Sequence, residues 1–180
     1  GYLLQIADRI DKEAKEFVPA PERASLYIYR NESFGAAAAL GLIVNGKSVA
    51  QTGPQTYAYF QLVPGKYLIE SRGAENTAQI ELDLAAGKNH FVWQEVKLGM
   101  VLGPRTAIHS VDEAVGRSGV KECRRIGISI PDSQIEPLGA TGKGGATSEE
   151  RLRKLKKLRD DGLISEEEYQ SKRKSLLDQL

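Results

Sequence analysis

The chain has 180 residues, 41% hydrophobic and 27% charged, a composition that suits one globular domain with appendages. Formal net charge is +1, and residues 1–145 and 146–180 are each nearly neutral, so the charge balance points neither to nucleic acid nor to an anionic membrane surface. Cys123 is the one cysteine, which excludes an internal disulfide and leaves the redox compartment open.

No apolar run approaches the roughly 20 residues of a membrane span. The chain opens at "GYLLQIADRI" with no initiator Met, and a leader removed ahead of it is expected. Leu3, Ile6, Ile10, Ala14 and Phe17 recur at helical spacing, so residues 2–17 read as an amphipathic helix. Pro19 and Pro21 stop it. Packing on its own domain is the commoner fate of such a helix; a spacer or docking helix near a membrane is the other reading.

Strand signals fill residues 24–95. "ASLYIYRN" alternates, with Leu26 and Ile28 on one face and Tyr27 and Tyr29 on the other. In "GLIVNGKSVA", Asn45-Gly46 predicts a two-residue hairpin, because both residues tolerate positive φ. "TYAYFQL" is a further strand, and Pro64-Gly65 after it suits a type II turn into "KYLIESRG". "TAQIELDL" alternates through Ile80, Leu82 and Leu84, and "AAGK" turns the chain into "NHFVWQEV". About seven short strands with tight turns predict antiparallel pairing, and half-apolar alternation predicts two sheets. The expected fold is mainly β, an antiparallel β-sandwich (immunoglobulin/prealbumin-like) with an N-terminal amphipathic helix and a C-terminal two-helix hairpin.

Beyond Val96 the pattern weakens. "LGMVLGPRT" is apolar but broken by Gly99, Gly103 and Pro104. "SVDE" at 110–113 reads as a capping box, Ser110 capping a helix of about three turns toward Arg124. Gly116 and Gly119 would each cost that helix about 1 kcal/mol relative to Ala. "IGISIP" is a further extended piece. "GATGKGGATS" from residue 139 is a glycine-rich linker that spans roughly 15–20 Å as a flexible chain. The organisation expected is a helix and Pro-containing connector at 1–21, a β-sandwich at 22–138, a linker at 139–147 and a helical hairpin at 148–180.

Catalytic and metal chemistry find no foothold. Gly142-Lys143 invites a phosphate-loop reading, but the first glycine position holds Pro137 and the Ser/Thr position holds Gly144. His90 and His109 stand apart from each other and from any Cys-x-x-Cys, whereas zinc needs three or four ligands. His109, Ser110 and Asp112 are neighbours, but no nucleophile elbow accompanies them. Cys123 lies beside Arg124 and Arg125, which could lower a thiol pKa, although a lone cysteine near a helix end is more often inert. Tyr57, Tyr59 and Tyr67 could line one strand face and stack on a sugar ring; ordinary sheet packing is the competing explanation. No catalytic residue, cofactor or metal is expected, and the protein is read as a non-enzyme.

The tail is the best-punctuated stretch. Thr147 with Glu150 and Ser165 with Glu168 each have capping-box spacing. Acidic residues crowd each first turn and basic residues follow, which complements both helix dipoles. Gly162 stands where a left-handed cap is wanted. Leu152, Leu155 and Leu158 line the first helix, Leu163 and Ile164 fill the turn, and Tyr169, Leu176, Leu177 and Leu180 line the second. So small a hairpin has too little core to stand with one face in water. Those nine side chains are therefore the expected interaction site.

"ERLRKLKKLRDDGLISEEEYQSKRKSLL" closely resembles the SHOCT family of short C-terminal domains at the ends of many bacterial proteins. Leu152, Leu155, Leu158, Gly162, Ile164, Glu168, Tyr169, Leu176 and Leu177 carry the resemblance over residues 149–177. It implies oligomerisation or protein interaction and no catalysis. Residues 22–115 resemble a family of uncharacterised bacterial envelope domains, often lipoproteins, through Ala24, Leu26, Tyr27, Tyr29, Arg30, Gly46, Tyr57, Pro64, Gly65 and Gly87. That resemblance implies a place in the bacterial cell envelope on the periplasmic side, with membrane attachment through a lipid ahead of Gly1. Together they predict an envelope-associated scaffold or accessory subunit whose partner is a protein, either a second copy or a larger envelope complex. The alternative is a glycan-, peptidoglycan- or small-ligand-binding module using the aromatic strand face.

Overall fold

The computed structural model of the protein describes residues 1–33, 38–139 and 148–178. They divide into two compact units, Gly1–Leu138 and Gly139–Leu180. The predicted linker, apart from Gly139, lies outside the described residues, as do Thr147 and Leu180.

The larger unit runs α1 (Tyr2–Ala14), β1 (Ala24–Arg30), β2 (Leu40–Val44), β3 (Lys47–Thr52), β4 (Thr56–Leu62), β5 (Gly65–Arg72), β6 (Thr77–Leu84), β7 (Asn89–Lys97), β8 (Arg105–Val111), α2 (Glu113–Lys121) and the two-residue β9 (Arg124–Arg125). It is mainly β, with two sheets ordered β8-β7-β1-β4-β9 and β3-β2-β5-β6. Leu26, Ile28, Phe60 and Val92 of the first sheet share one buried cluster with Leu42, Val44, Tyr67 and Ile69 of the second. The two sheets therefore pack face to face. A buried polar bridge crosses the same interface: Gln94 accepts from Thr52 Oγ1 at 2.7 Å and donates to Ser71 Oγ at 2.8 Å. Ser71 Oγ in turn lies 2.7 Å from Thr106 Oγ1.

Asn45 and Gly46 take φ of 48° and 79°, so the β2–β3 hairpin closes through the two-residue turn that the sequence announces. Pairing departs from the antiparallel expectation twice: β1 pairs β7 in parallel and β4 pairs β9 in parallel. The "AAGK" turn closes no hairpin; it carries the chain from β6 in one sheet to β7 in the other. Gly87, at φ 71°, donates to the Arg23 carbonyl, and Ser25 N–H donates to the Lys88 carbonyl, so β7 starts where β1 starts and runs alongside it. Pro64-Gly65 likewise bends the chain between sheets; Gly65 has φ 150°, not the type II value.

All seven residues of β1 are buried, because the first sheet is covered on both faces. On its outer face Tyr27, Tyr29, Tyr57 and Phe91 pack with Ala14, Phe17, Val120 and Cys123. Tyr27 donates to the Ala14 carbonyl at 2.7 Å and Tyr57 to Asp11 Oδ1 at 2.6 Å. The C-terminal half of α1 is thus packed on its own domain, while Tyr2, Leu3 and Leu4 remain 64–79% exposed. α2 shows why it tolerates two glycines. A Cβ on Gly116 would enter the Phe91 ring, and one on Gly119 the Tyr29 ring.

Three local expectations are corrected. The cap of α2 is Asp112, whose Oδ1 accepts from Val115 N–H at 2.9 Å, while Ser110 belongs to β8. β8 itself is a strand hidden by the short apolar-polar run after the glycine-rich loop. "IGISIP" forms no strand; only Arg124–Arg125 pair, and Ile126, Ile128 and Ile130 pack against the core.

Candidate functional site: the C-terminal hairpin

Two helices make the smaller unit, α3 (Ser148–Asp160) and α4 (Glu166–Asp178). Gly162 has φ 73°. Its N–H donates to the Arg159 carbonyl, and Leu163 N–H donates back to Leu158 at 2.9 Å. That pair of bonds is a Schellman cap, which satisfies carbonyls the helix end would otherwise leave bare. Ser165 Oγ accepts from Glu168 N–H at 3.1 Å, the capping contact expected at α4. Glu166, Glu167 and Glu168 occupy the first turn of α4, where the helix dipole favours negative charge.

Between the helices lies a groove of about 320 Å³. Leu155, Leu158 and Leu176 give it an apolar floor, and Arg151, Lys154 and Lys172 stand on its rim. Leu155 and Tyr169 are buried, at 6% and 8% exposure. Leu152, Leu158, Ile164 and Leu176 are half-buried. Leu163 and Leu177 stay open at 70% and 44%. Of the nine residues expected to act together, eight are described, and they separate: Leu155, Leu158 and Leu176 line the groove, Leu152, Ile164 and Tyr169 are half-buried or buried outside its lining, and Leu163 and Leu177 are exposed.

The chain carries a SHOCT domain. Residues 150–177 match that family, described as the short C-terminal domain, and residues 20–105 match DUF2846, a protein family of unknown function. A Haemophilus influenzae protein described as uncharacterized is 26% identical over 110 residues, 61% of this chain. Those residues are 65% of that protein, so the match spans less than two thirds of the relative's length.

Within the SHOCT hairpin, sequence reasoning misses the polar half of the site. The Arg159 guanidinium lies 4.1 Å from the Tyr169 ring centroid and joins the two helices by a cation–π contact. The basic rim was legible in principle: Arg151 and Lys154 flank Leu155 and Leu158 at helical spacing. The position of Lys172 opposite them depends on how the helices cross, which spacing does not state.

The other candidates are occupied by structure. His90 Nε2 accepts from Ala85 N–H at 3.0 Å, and burial pushes its pKa down. His109 Nε2 lies 2.9 Å from Glu95 Oε2, and its ring stacks on Trp93 at 4.9 Å. Cys123 is 2% exposed, and burial raises its thiol to about 12 despite the neighbouring arginines, so it is no nucleophile at neutral pH. Among the described residues no group of three or more His, Cys, Asp or Glu could hold a metal. The aromatic strand face is corrected outright. Tyr57 is buried under α1, whereas Tyr67 is buried between the sheets and donates to the Val63 carbonyl. Tyr67 thus lies in the core between the sheets and Tyr57, with the half-buried Tyr59, on the outer face of the first sheet, so the three do not form one face for a sugar. Among the described residues no helix is long and apolar enough to cross a membrane.

Proposed function

We propose that the protein is a non-enzymatic accessory subunit that assembles through its SHOCT hairpin, either with further copies of itself or on a larger protein complex of the bacterial envelope. The observation that carries this reading is the groove floored by Leu155, Leu158 and Leu176 and rimmed by Arg151, Lys154 and Lys172. Apolar burial would supply the attraction and the cations the orientation, favouring an acidic, leucine-bearing partner helix. A tail contact of this kind gathers the larger unit and gives avidity without a new surface on it. Support for a non-catalytic role comes from His90, His109 and Cys123, each engaged in packing or a structural hydrogen bond. The same reading takes the two-sheet body as an immunoglobulin/prealbumin-like sandwich, held on the periplasmic side by an N-terminal lipid, with no role for nucleic acid.

Light scattering on the full chain and on Leu155→Asp/Leu158→Asp tests it. The expected result is an oligomer that becomes a monomer on substitution while the body unfolds at the same midpoint. Equal oligomeric masses for both would overturn assembly through the groove. Two monomers would leave only the envelope complex as partner, and cross-linking from Lys154 in envelope fractions must then depend on Leu155 and Leu158.

A further inference from the structure

The SHOCT hairpin carries two features of opposite charge at separate places. Every charged side chain lining its groove is a cation: Arg151, Lys154 and Lys172. Among the described residues none of the three pairs with a carboxylate. The turn between the helices is the converse. Asp160, Asp161, Glu166, Glu167 and Glu168 bracket it. Arg159 lies 3.3 Å from Asp160 Oδ1 and 3.8 Å from Glu166 Oε2, which leaves Asp161, Glu167 and Glu168 exposed and with no cationic partner among the described residues. In sequence between them stands Leu163, 70% exposed.

Leu163 is held where it stands. Gly162 takes φ 73° and Leu163 N–H donates to the Leu158 carbonyl at 2.9 Å, so the cap that ends α3 also fixes the leucine. It does not line the groove of its own hairpin. Arg151 and Lys154 lie about 9–14 Å back along α3 from Asp160, too far for the turn to neutralise them within one chain. Taking assembly through that groove as given, we propose that hairpins join head to tail. The turn of one copy, led by Leu163 and carrying Asp161, Glu167 and Glu168, seats in the groove of the next. There Leu155, Leu158 and Leu176 receive the leucine, and Arg151, Lys154 and Lys172 receive the carboxylates.

Three observations favour a second copy over a foreign helix. An apolar floor with a cationic rim suits an apolar side chain accompanied by carboxylates, and the hairpin itself carries that combination unpaired. The turn is preorganised by its cap, so seating it costs little ordering. Residues 146–180 hold nine Lys/Arg and eight Asp/Glu, so copies add without building up repulsion. A turn-to-groove contact is heterologous: each added copy presents a new turn or a new groove, and repetition gives a ring or an open chain. A single contact of this kind is small beside the ~800 Å² per partner of a stable dimer, so it is weak alone and gains from repetition.

Light scattering of the full chain over a concentration series tests the turn separately from the groove. Wild type is expected to gain mass with concentration. Leu163→Lys/Glu167→Lys puts cations on the turn and is expected to weaken self-association about tenfold or more, because like charges would then face Arg151, Lys154 and Lys172. Lys154→Glu/Lys172→Glu is expected to do the same from the groove side. All four positions are exposed, and an unchanged far-ultraviolet spectrum confirms the helices. An equimolar mixture of the two variants is expected to regain a mass of two chains or more, since the intact turn of one meets the intact groove of the other. Wild-type association by Leu163→Lys/Glu167→Lys overturns the turn as occupant, and assembly through the groove still stands if Lys154→Glu/Lys172→Glu dissociates. A mixture that stays monomeric overturns head-to-tail docking. A wild type that is monomeric at every concentration overturns it together with self-assembly and leaves only the larger complex for the groove.

Discussion

In the body, β1 buries all seven of its side chains, one face against the second sheet and the other under α1 and α2. In the SHOCT hairpin, Leu155 and Tyr169 are buried while Leu163 and Leu177 remain open. Both regions are patterned for burial, yet the body supplies its own cover and the hairpin supplies half of one. The difference follows from layers. A sheet with a helical layer on one side and a sheet on the other covers both faces, whereas two helices can cover only the seam between them. Fold stability belongs to the first arrangement and an apolar face left open to the second.

The sharpest way to break that contrast is to empty each core in turn. Phe60→Ala removes a fully buried ring between the sheets and is expected to cost about 3–5 kcal/mol in denaturant unfolding of the body. Leu155→Ala is expected to move the same midpoint by under about 0.5 kcal/mol, because it lies in the other compact unit. Comparable losses from both would mean that the two units share one cooperative core. A smaller effect comes from overfilling. Gly119→Ala places a methyl in the Tyr29 ring and should cost about 1–3 kcal/mol, seen as a lowered melting temperature. Gly162→Ala in the SHOCT hairpin meets no atom within 4 Å, and only its positive φ opposes it, about 1 kcal/mol.

The smallest effect is a pH dependence confined to the 98–104 loop. Glu75 has its carboxyl lowered from 4.5 to about 2 by backbone amides. A depressed carboxyl stabilises the folded loop above its unfolded pKa, and that support is lost as pH falls through about 2. Amide exchange at Val101 and Leu102 is therefore expected to quicken between pH 4 and pH 2 relative to β1 and β4. Glu75→Gln should remove the pH dependence and leave those amides exchanging fast throughout.

The residue pattern alone determined the strands from Ala24 to Val96, the Asn45-Gly46 turn, and the caps at Gly162 and Ser165. Each rests on local physics: period-two alternation, a left-handed φ, or an orphan backbone group beside a suitable side chain. The leucine row of the SHOCT hairpin was legible for the same reason. Tertiary structure decided the rest. Whether a turn closes a hairpin or carries the chain to the other sheet depends on where the earlier strands already lie, so "AAGK" could not announce a parallel β7. The alternation of Tyr27 and Tyr29 named a face but not its cover, and only α1 and α2 show that the face is closed. Gly116 and Gly119 read as helix weaknesses until the Phe91 and Tyr29 rings appear beneath them. The exposed tip at 98–102 is the clearest case, since apolar residues in sequence predict burial, whereas the loop's backbone is tied to Glu75 in a distant turn and its side chains stand outside.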